Sequence, residues 1–439
     1  MPSFTPHTPD EIREMLADLG MGSLEDLFAH VPKEIRLQRP LALEKGRSEF
    51  EVLEWFSGTA SRNSAARRDL VIFAGGGAYD HDLSSAARAL GSQSAFVTAY
   101  TPYQPEVSQG VLQALFEYQT LVARIFGTDV ANASLYDGAA ALVEAVNLAV
   151  GATGSSRVVA SGGVNPAYLE TLATFGAGRS LELEVAATDE REATAWGALS
   201  GQAAAVVVGY PNYFGTIEDV AEARTVANDL GALLVVVADP VALGLLEAPG
   251  ALGADIVVGE GQSLGIPLSF GGPYLGLFGA STRYLRLIPG RLVGETVDAD
   301  GRTAFVTTLR TREQDIRRER ATSNVCTNQT LMAIQAAIHL SWLGKEGYQE
   351  VSRRCYNAAH YLASRLETIG LRVSSAPFFR EFVVELPVPA EAVRSRLFDQ
   401  GFLAGLAVRG RPNHLLLTAT EAHTREEIDR FSDLIAKEI

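Results

Sequence analysis

Two runs of β-branched residues, Val206-Val207-Val208 and Val235-Val236-Val237, constrain this chain more than any other feature. A strand with one face in water alternates apolar and polar side chains. A run with no polar member is buried on both faces, which requires helices on each side of a mostly parallel sheet. Apolar runs recur near 157–160, 181–186, 204–209, 232–238, 255–258 and 274–278, with helical patterns between several of them. Thr216 as N-cap, Ile217, Val220, Ala227 and Leu230 on one face, and Gly231 as stop predict a helix over 217–230. Val111, Leu115, Tyr118, Val122 and Ile125 predict another that ends at Gly127. This is the pattern of an α/β domain.

Both ends of the chain differ from that centre. Thr8-Pro9-Asp10-Glu11 reads as a capping box with proline at the first helical position, and Ser23–Asp26 as a second helix start. Pro32 and Pro40 then break the pattern, so residues 1–65 are expected to form a helical N-terminal arm without a core of its own. Residues 66–330 form the expected large α/β domain. Residues 331–439 form a small C-terminal α+β domain, with long helical periodicity over about 325–369, a strand at Phe382–Leu386 and helices near 389–399 and 424–438. Residues 293–304 are the most loop-like stretch.

Composition removes whole classes of function. The chain has 439 residues, 47% hydrophobic and 20% charged, with a formal net charge of −15. That balance argues against a general nucleic-acid binder, which needs a basic footprint. No run approaches the ~18 apolar residues of a membrane span, and the N-terminus does not read as a signal peptide. Cys326 and Cys355 are the only cysteines, too few for a disulfide framework or a zinc site, so no metal is expected. The expected location is cytoplasmic, with both thiols reduced and buried.

In open parallel sheets ligands bind beyond the carboxyl ends of the strands, and Asp239 stands at such an end. Alone it reads as a cap or turn former. An aspartate there, followed some twenty residues later by a lysine at another strand end, is the fold-type-I arrangement for pyridoxal phosphate: the acid holds the ring nitrogen and the lysine binds the aldehyde. Here the spacing is present, but position 262 is glutamine, which cannot form an imine. Lysine occurs only at Lys33, Lys45, Lys345 and Lys437, so nothing between 46 and 344 can replace it. Asp137, before the Ala-rich helix expected at 139–149, places a carboxylate where a helix N-terminus would otherwise hold a phosphate.

Several segments then carry a clear resemblance. Thr98-Ala99-Tyr100-Thr101-Pro102-Tyr103-Gln104-Pro105-Glu106 with Ser108-Gln109-Gly110 resembles the hallmark segment of glycine decarboxylase, the P-protein of the glycine cleavage system. Gly77-Ala78-Tyr79-Asp80-His81, Asn132-Ala133-Ser134-Leu135, Gly271-Gly272-Pro273, Thr311-Arg312-Glu313-Gln314 and Ala321-Thr322-Ser323-Asn324 are similar to further motifs of that family. The matches span about residues 70–345; the arm and the last ninety residues match more loosely. The chain resembles the N-terminal half of the long form of the enzyme, and so the alpha subunit (subunit 1) of its two-chain form. In that family the cofactor lysine lies in the other half, consistent with Gln262.

The resemblance implies fold type I and no Schiff-base lysine of this chain's own. It implies pyridoxal phosphate held by a beta subunit (subunit 2), with glycine as substrate, a lipoylated H-protein as acceptor of the aminomethyl group, and a heterotetrameric assembly. Fold-type-I dimers build each site at the interface, so contributions in trans are expected. Tyr100, Tyr103, Asn132 and Ser134 are expected at the substrate pocket, and Gly271, Gly272 and Thr322 at the cofactor. For each, a turn, cap or core role is the plainer alternative. Arg310, Arg312, Arg317, Arg318 and Arg320 read mainly as a structural or interface cluster, with Glu313 and Arg317 spaced for an i,i+4 pair. His81 reads as structural. The competing class is a non-catalytic scaffold of the same fold; a free-standing enzyme with a displaced lysine is disfavoured by the empty 46–344 stretch.

Overall fold

Reciprocal capping starts both helices of the N-terminal segment. In the computed structural model, which describes residues 6–374 and 376–439, helix Pro9–Asp18 opens at Thr8. The Thr8 hydroxyl accepts from the Glu11 N–H while the Glu11 carboxylate accepts from the Thr8 N–H at 2.6 Å. Ser48 and Glu51 repeat the device at helix Glu49–Ala60. These helices belong to a unit of their own, Met1–Asn63, in which only Leu16 is buried among the described residues. Ser64–Ile439 form the second unit.

At the centre of that second unit is a seven-stranded sheet. Its order is Val130–Ala131, Gly276–Ala280, Ile256–Glu260, Leu233–Ala238, Ala205–Tyr210, Arg157–Ser161, Glu182–Ala186. The last five are parallel; Gly276–Ala280 runs against Ile256–Glu260, and Val130–Ala131 against Gly276–Ala280. The valine runs are buried on both faces, except for the partly buried Val237, as their lack of polar members requires. Val206 and Val208 enter the core that holds helix Gln109–Phe126, whereas Val207 enters the opposite core, under helix Gly138–Thr153. Each fully buried valine contributes on the order of 1.5–3 kcal/mol, and the alternation commits the strand to a two-sided environment.

The C-terminal sheet is antiparallel, in the order Arg372–Val373, Glu381–Glu385, His414–Thr418, Leu406–Ala407. Helices Ala390–Phe398 and Arg425–Glu438 share its core. Val71–Ile72 pairs with Phe402–Leu403, so the chain engages this C-terminal lobe before it enters the large sheet. The two lobes meet closely at Gly215, at φ +92°, where a Cβ would run into the Glu381 carbonyl. No helix among the described residues is long and apolar enough to cross a membrane.

Three local expectations shift. The helix predicted at 217–230 spans Val220–Asp229. Asp219 caps it, while Ile217 N–H donates to the Pro377 carbonyl and draws 216–218 toward the C-terminal lobe. The periodic stretch 325–369 is helical over Thr330–Thr368, interrupted at Gly344 (φ 61°, ψ −176°). Residues 293–304 are not a loop: Leu292–Val297 and Thr303–Thr308 form a hairpin whose turn is closed by the Asp298 side chain. Helix Gln109–Phe126 grips this hairpin through two glutamines that imitate a strand. Gln119 donates to the Val293 carbonyl (3.0 Å) and accepts its N–H (2.9 Å), and Gln109 does the same for Phe305 (2.9 and 2.8 Å). Gln119→Ala orphans a buried N–H and carbonyl, so we expect a loss of about 1–3 kcal/mol and faster proteolysis at 298–302. Denaturant unfolding and limited proteolysis check this; an unchanged midpoint would show that the hairpin is held some other way.

Candidate functional site

The carboxyl ends of the parallel strands deliver Asp239, Glu260 and Gln262 to one place, facing the N-terminus of helix Gly138–Thr153. Gln262 is 1% exposed. Its Oε1 accepts the Tyr79 N–H at 2.8 Å, and its Nε2 donates to the carbonyls of Tyr79 (3.0 Å) and Ile266 (2.9 Å). The amide is therefore fixed by both its donor and its acceptor, a pattern an ammonium group cannot reproduce.

Arg380, immediately before strand Glu381–Glu385 of the C-terminal sheet, covers Asp239. Its Nη2 lies 2.8 Å from both carboxylate oxygens and 3.3 Å from Ser263 Oγ, and its Cζ stands 3.6 Å from the centroid of the Tyr79 ring. Burial opposes the guanidinium charge, but Asp239 foremost restores it and holds the group above its ordinary value. Arg380 Nη1 also lies 2.6 Å from His81 Nε2. A guanidinium can only donate, so Nε2 accepts and the ring proton sits on Nδ1, donated to Glu421 at 2.8 Å. Cys355 Sγ donates to the same carboxylate at 3.0 Å. Burial would raise the Glu421 carboxyl, yet His81 and these donors hold it well below the usual carboxylate range. The ligand-type atoms of His81, Cys355 and Glu421 lie within 4.8 Å of one another. A metal on Nδ1 would move the ring proton to Nε2, against the Arg380 donor, so the cluster is a hydrogen-bond chain in its geometry. The structural reading of His81 fits this position.

Two more carboxylates complete the wall. Glu381 accepts from Tyr79 Oη (2.5 Å) and Gly76 N–H (2.6 Å), and burial pushes it up to about 7. Glu260 accepts from the N–H groups of Gly138 (2.9 Å), Gln262 (2.9 Å) and Leu275 (3.0 Å), and burial likewise pushes it up to about 7. Gly138 opens the helix, and Asp137 caps it by accepting from Ala140 N–H at 2.7 Å. The phosphate position at that N-terminus is thus taken by this chain's own acids. The space left, lined by Tyr79, Asn165, Tyr168, Asp239, Glu260 and Glu381 among others, is about 80 Å³. That accommodates a few waters and falls short of a cofactor pocket of roughly 300–1,000 Å³. Pyridoxal phosphate does not fit here: its aldehyde has no amine, its ring's place holds Arg380, and its phosphate would meet Glu260.

The residues expected in trans fall into three places. Tyr100 is 79% and Tyr103 54% exposed, the latter under the Arg291 guanidinium at 5.5 Å. Arg291 donates to Asn328 and the Cys326 carbonyl, and Asn328 in turn donates to Ser134 Oγ at 3.0 Å. Asn132 donates to the Pro289 carbonyl and Ser134 Oγ also accepts from Gln329 N–H. Asn132 and Ser134 are therefore buried: the Ser134 hydroxyl holds Asn328 and Gln329, while the Asn132 amide is tied to the Pro289 carbonyl and the Ser134 N–H. Gly271 and Gly272 (φ +106° and +138°) sit in a separate loop whose Phe270 is 94% exposed. Thr322 lies eight residues before helix Thr330–Thr368, in a tight pocket with Arg312 and Glu313; its carbonyl accepts from Arg179.

Two further expectations change. Cys326 is exposed and only Cys355 is buried, because Cys326 lies in that irregular segment. The Glu313–Arg317 pair does not form: the helix is a single turn, Gln314–Arg317, and Glu313 sits in the field of Arg312 and Arg291. Arg380 and Glu260 were missed. A signal existed for the first, since Arg380-Glu381 puts two charges inside the apolar stretch Phe378–Val384.

The fold and site define a fold-type-I chain whose own cofactor position is closed by its side chains. The sequence profile of the glycine cleavage system P-protein matches residues 2–435. A probable glycine dehydrogenase (decarboxylating) subunit 1 of Chlorobium limicola is 48% identical over 445 residues, covering 99% of each chain. The crystal structure of a glycine decarboxylase (P-protein) of the glycine cleavage system in inhibitor-bound form superposes with a TM-score of 0.94 at 44% identity, covering 100% of both chains. A sphingosine-1-phosphate lyase of Burkholderia pseudomallei, at 16% identity and a TM-score of 0.65 over 92% of each chain, shares the fold alone. The chain belongs to the glycine cleavage system P-protein family.

Two outcomes follow from this geometry. Gln262→Lys alone leaves the chain without a cofactor: after pyridoxal phosphate and borohydride, the mass spectrum shows no stoichiometric adduct at 262. Glu381 carries a proton up to about pH 7 when folded but only to about 4.5 when unfolded. The folded state therefore binds more protons between those values, and stability from this group is lost as pH rises through 7. The thermal midpoint of Glu381→Gln should fall less steeply between pH 5 and 8 than that of the wild type; identical slopes would place the titration elsewhere.

Proposed function

We propose that this chain is the subunit of a two-chain glycine decarboxylase that carries no Schiff-base lysine. In this reading it completes, from across the interface, an active site whose pyridoxal phosphate is carried by the partner subunit. The observation that carries this reading is the closure of its own cofactor position by Gln262, Arg380 and Glu260, beside exposed loops that a self-sufficient fold does not need. The bound cofactor supplies the electron sink that lets glycine lose CO2. The aminomethyl group then passes to the lipoyl arm of an H-protein. Assembly is expected to pair two such heterodimers in the cytoplasm.

This chain's part is to shape, orient and dry the partner's site. Pro102 and Pro105 stiffen the loop that presents Tyr100 and Tyr103, and Gln109 ties its end by donating to the Pro105 carbonyl at 2.8 Å. The rings form a wall for a small substrate, and Arg291 stacked on Tyr103 fixes one of them. Asn132 and Ser134 act behind that wall as positioning residues. The Gly271-Gly272 loop brings bare backbone to the partner's cofactor, and Thr322 offers a hydroxyl. A mere scaffold gains nothing from exposed, oriented tyrosines, which is why the catalytic reading is preferred.

The test is reconstitution. The chain alone, the partner alone and the mixture are treated with pyridoxal phosphate and borohydride, and assayed for glycine–bicarbonate exchange with H-protein. We expect an adduct on the partner only and exchange in the mixture only. A stoichiometric adduct on this chain would overturn the proposal. Tyr103→Ala should leave assembly intact and lower exchange by about tenfold or more, through misplacement of substrate. Unchanged exchange would remove Tyr103 from the pocket.

A further inference from the structure

Fold-type-I chains hold pyridoxal phosphate by opposite charges at its two ends: a carboxylate at the ring nitrogen and a helix N-terminus at the phosphate. In this chain a cation sits against that carboxylate and an acidic side chain accepts at the head of that helix. The Arg380 guanidinium, planar and cationic like a protonated pyridine, lies on Asp239 and against the face of Tyr79 (3.6 Å). Glu260 accepts from Gly138 N–H at the head of the helix. Gln262, at the lysine position, pins the same Tyr79 through its backbone.

We infer that Arg380 and Glu260 are a built-in replacement for the cofactor. Arg380 stands for the ring and Glu260 for the phosphate, and together they hold the Tyr79 segment and the C-terminal lobe onto the large sheet without any ligand. Three segments far apart in the sequence meet at Arg380. The 77–82 segment contributes Tyr79 and His81, the strand ends contribute Asp239 and Ser263, and Arg380 itself leads into the C-terminal strand. A ligand bridging ring face, acid and helix N-terminus would make the same ties. An ordinary buried ion pair would account for Asp239 and Arg380, but not for the stacked ring face or for the carboxyl group at the helix.

The replacement can be removed and supplied from outside. Arg380→Ala leaves a hole shaped for a guanidinium ion beside an uncompensated Asp239, and should lower the thermal midpoint of the purified chain by roughly 5–10 °C. Guanidinium chloride at low millimolar concentration, far below denaturing levels, should recover much of that loss, and urea, of the same shape but neutral, should not. Arg380→Met, which refills the volume without the charge, should stay destabilised and unrescued. If Arg380→Ala does not fold, Arg380→Lys provides the reading: a point charge that cannot span Asp239, His81 and the ring face, and so a midpoint clearly below that of the wild type.

A second readout separates a cofactor surrogate from a plain structural pair. In Gln262→Lys/Arg380→Ala the ring's place is open while Glu260 still fills the phosphate's. Borohydride should then trap pyridoxal on the introduced amine, and more of it than pyridoxal phosphate, whereas Gln262→Lys alone traps neither. Rescue by urea equal to that by guanidinium, wild-type stability in Arg380→Met or Arg380→Lys, or stoichiometric trapping in Gln262→Lys alone would each overturn the inference.

Discussion

The ion pair between Arg380 and Asp239 is the contact on which the rest of the site depends. Arg380 is 1% exposed, and Asp239 is partly buried at the cavity wall. Such a pair is weak evidence for net stability, because desolvation offsets much of the attraction. Its effect here is specificity of arrangement. Once the guanidinium lies on Asp239, it fixes the tautomer of His81, hence the hydrogen bond to Glu421, hence the docking of Cys355 from the long helix. It also gives the Tyr79 ring a face to lie against, and Tyr79 in turn fixes Gln262 and Glu381. One side chain thus orders groups drawn from both lobes.

The second constraint is the two-faced burial of the parallel sheet. Because Val206 and Val207 point into different cores, the sheet cannot slip by one residue without exchanging both environments. That rigidity delivers the strand ends of residues 238–239 and 260–262 in register, so that small side-chain differences there decide the chemistry. An amine at 262 and an open ring site would be one outcome; a neutral amide and a filled site are the other.

The strands were legible because a run of β-branched residues has only one stable setting. Helix starts were less so. Thr216 satisfies the local pattern of an N-cap, but the C-terminal lobe takes the 216–218 backbone and leaves the capping to Asp219. The hairpin at 292–308 was illegible because its register is held by Gln109 and Gln119, polar residues on a helix whose apolar stripe alone drew attention. Within the site, the missing lysine could be read from composition. Arg380 could not be placed, since it reaches Asp239 across 141 residues, a separation that no local periodicity encodes. The exposure of Tyr100 and Tyr103 and the burial of Asn132 and Ser134 also follow from tertiary packing. The two motifs that hold these four residues do not say which of them face outward.

The filled site and the exposed loops are two parts of one arrangement. Ser269 and Phe270 both take left-handed backbone angles (φ 44° and 54°), and Phe270 is 94% exposed. The conformation costs about 1–2 kcal/mol per residue, and an aromatic ring left in water forgoes the gain of burial. A chain held together by a bound cofactor would couple the position of such a loop to cofactor loading. A chain held by its own Arg380 and Glu260 keeps that loop, and the exposed segment of Tyr100 and Tyr103, in place independently of any ligand. The strain is then compensated only when another surface covers the loop. The role proposed above, walls preformed for a neighbour's active site, is served by this combination: an interior that needs no cofactor and an exterior that is costly until it is paired.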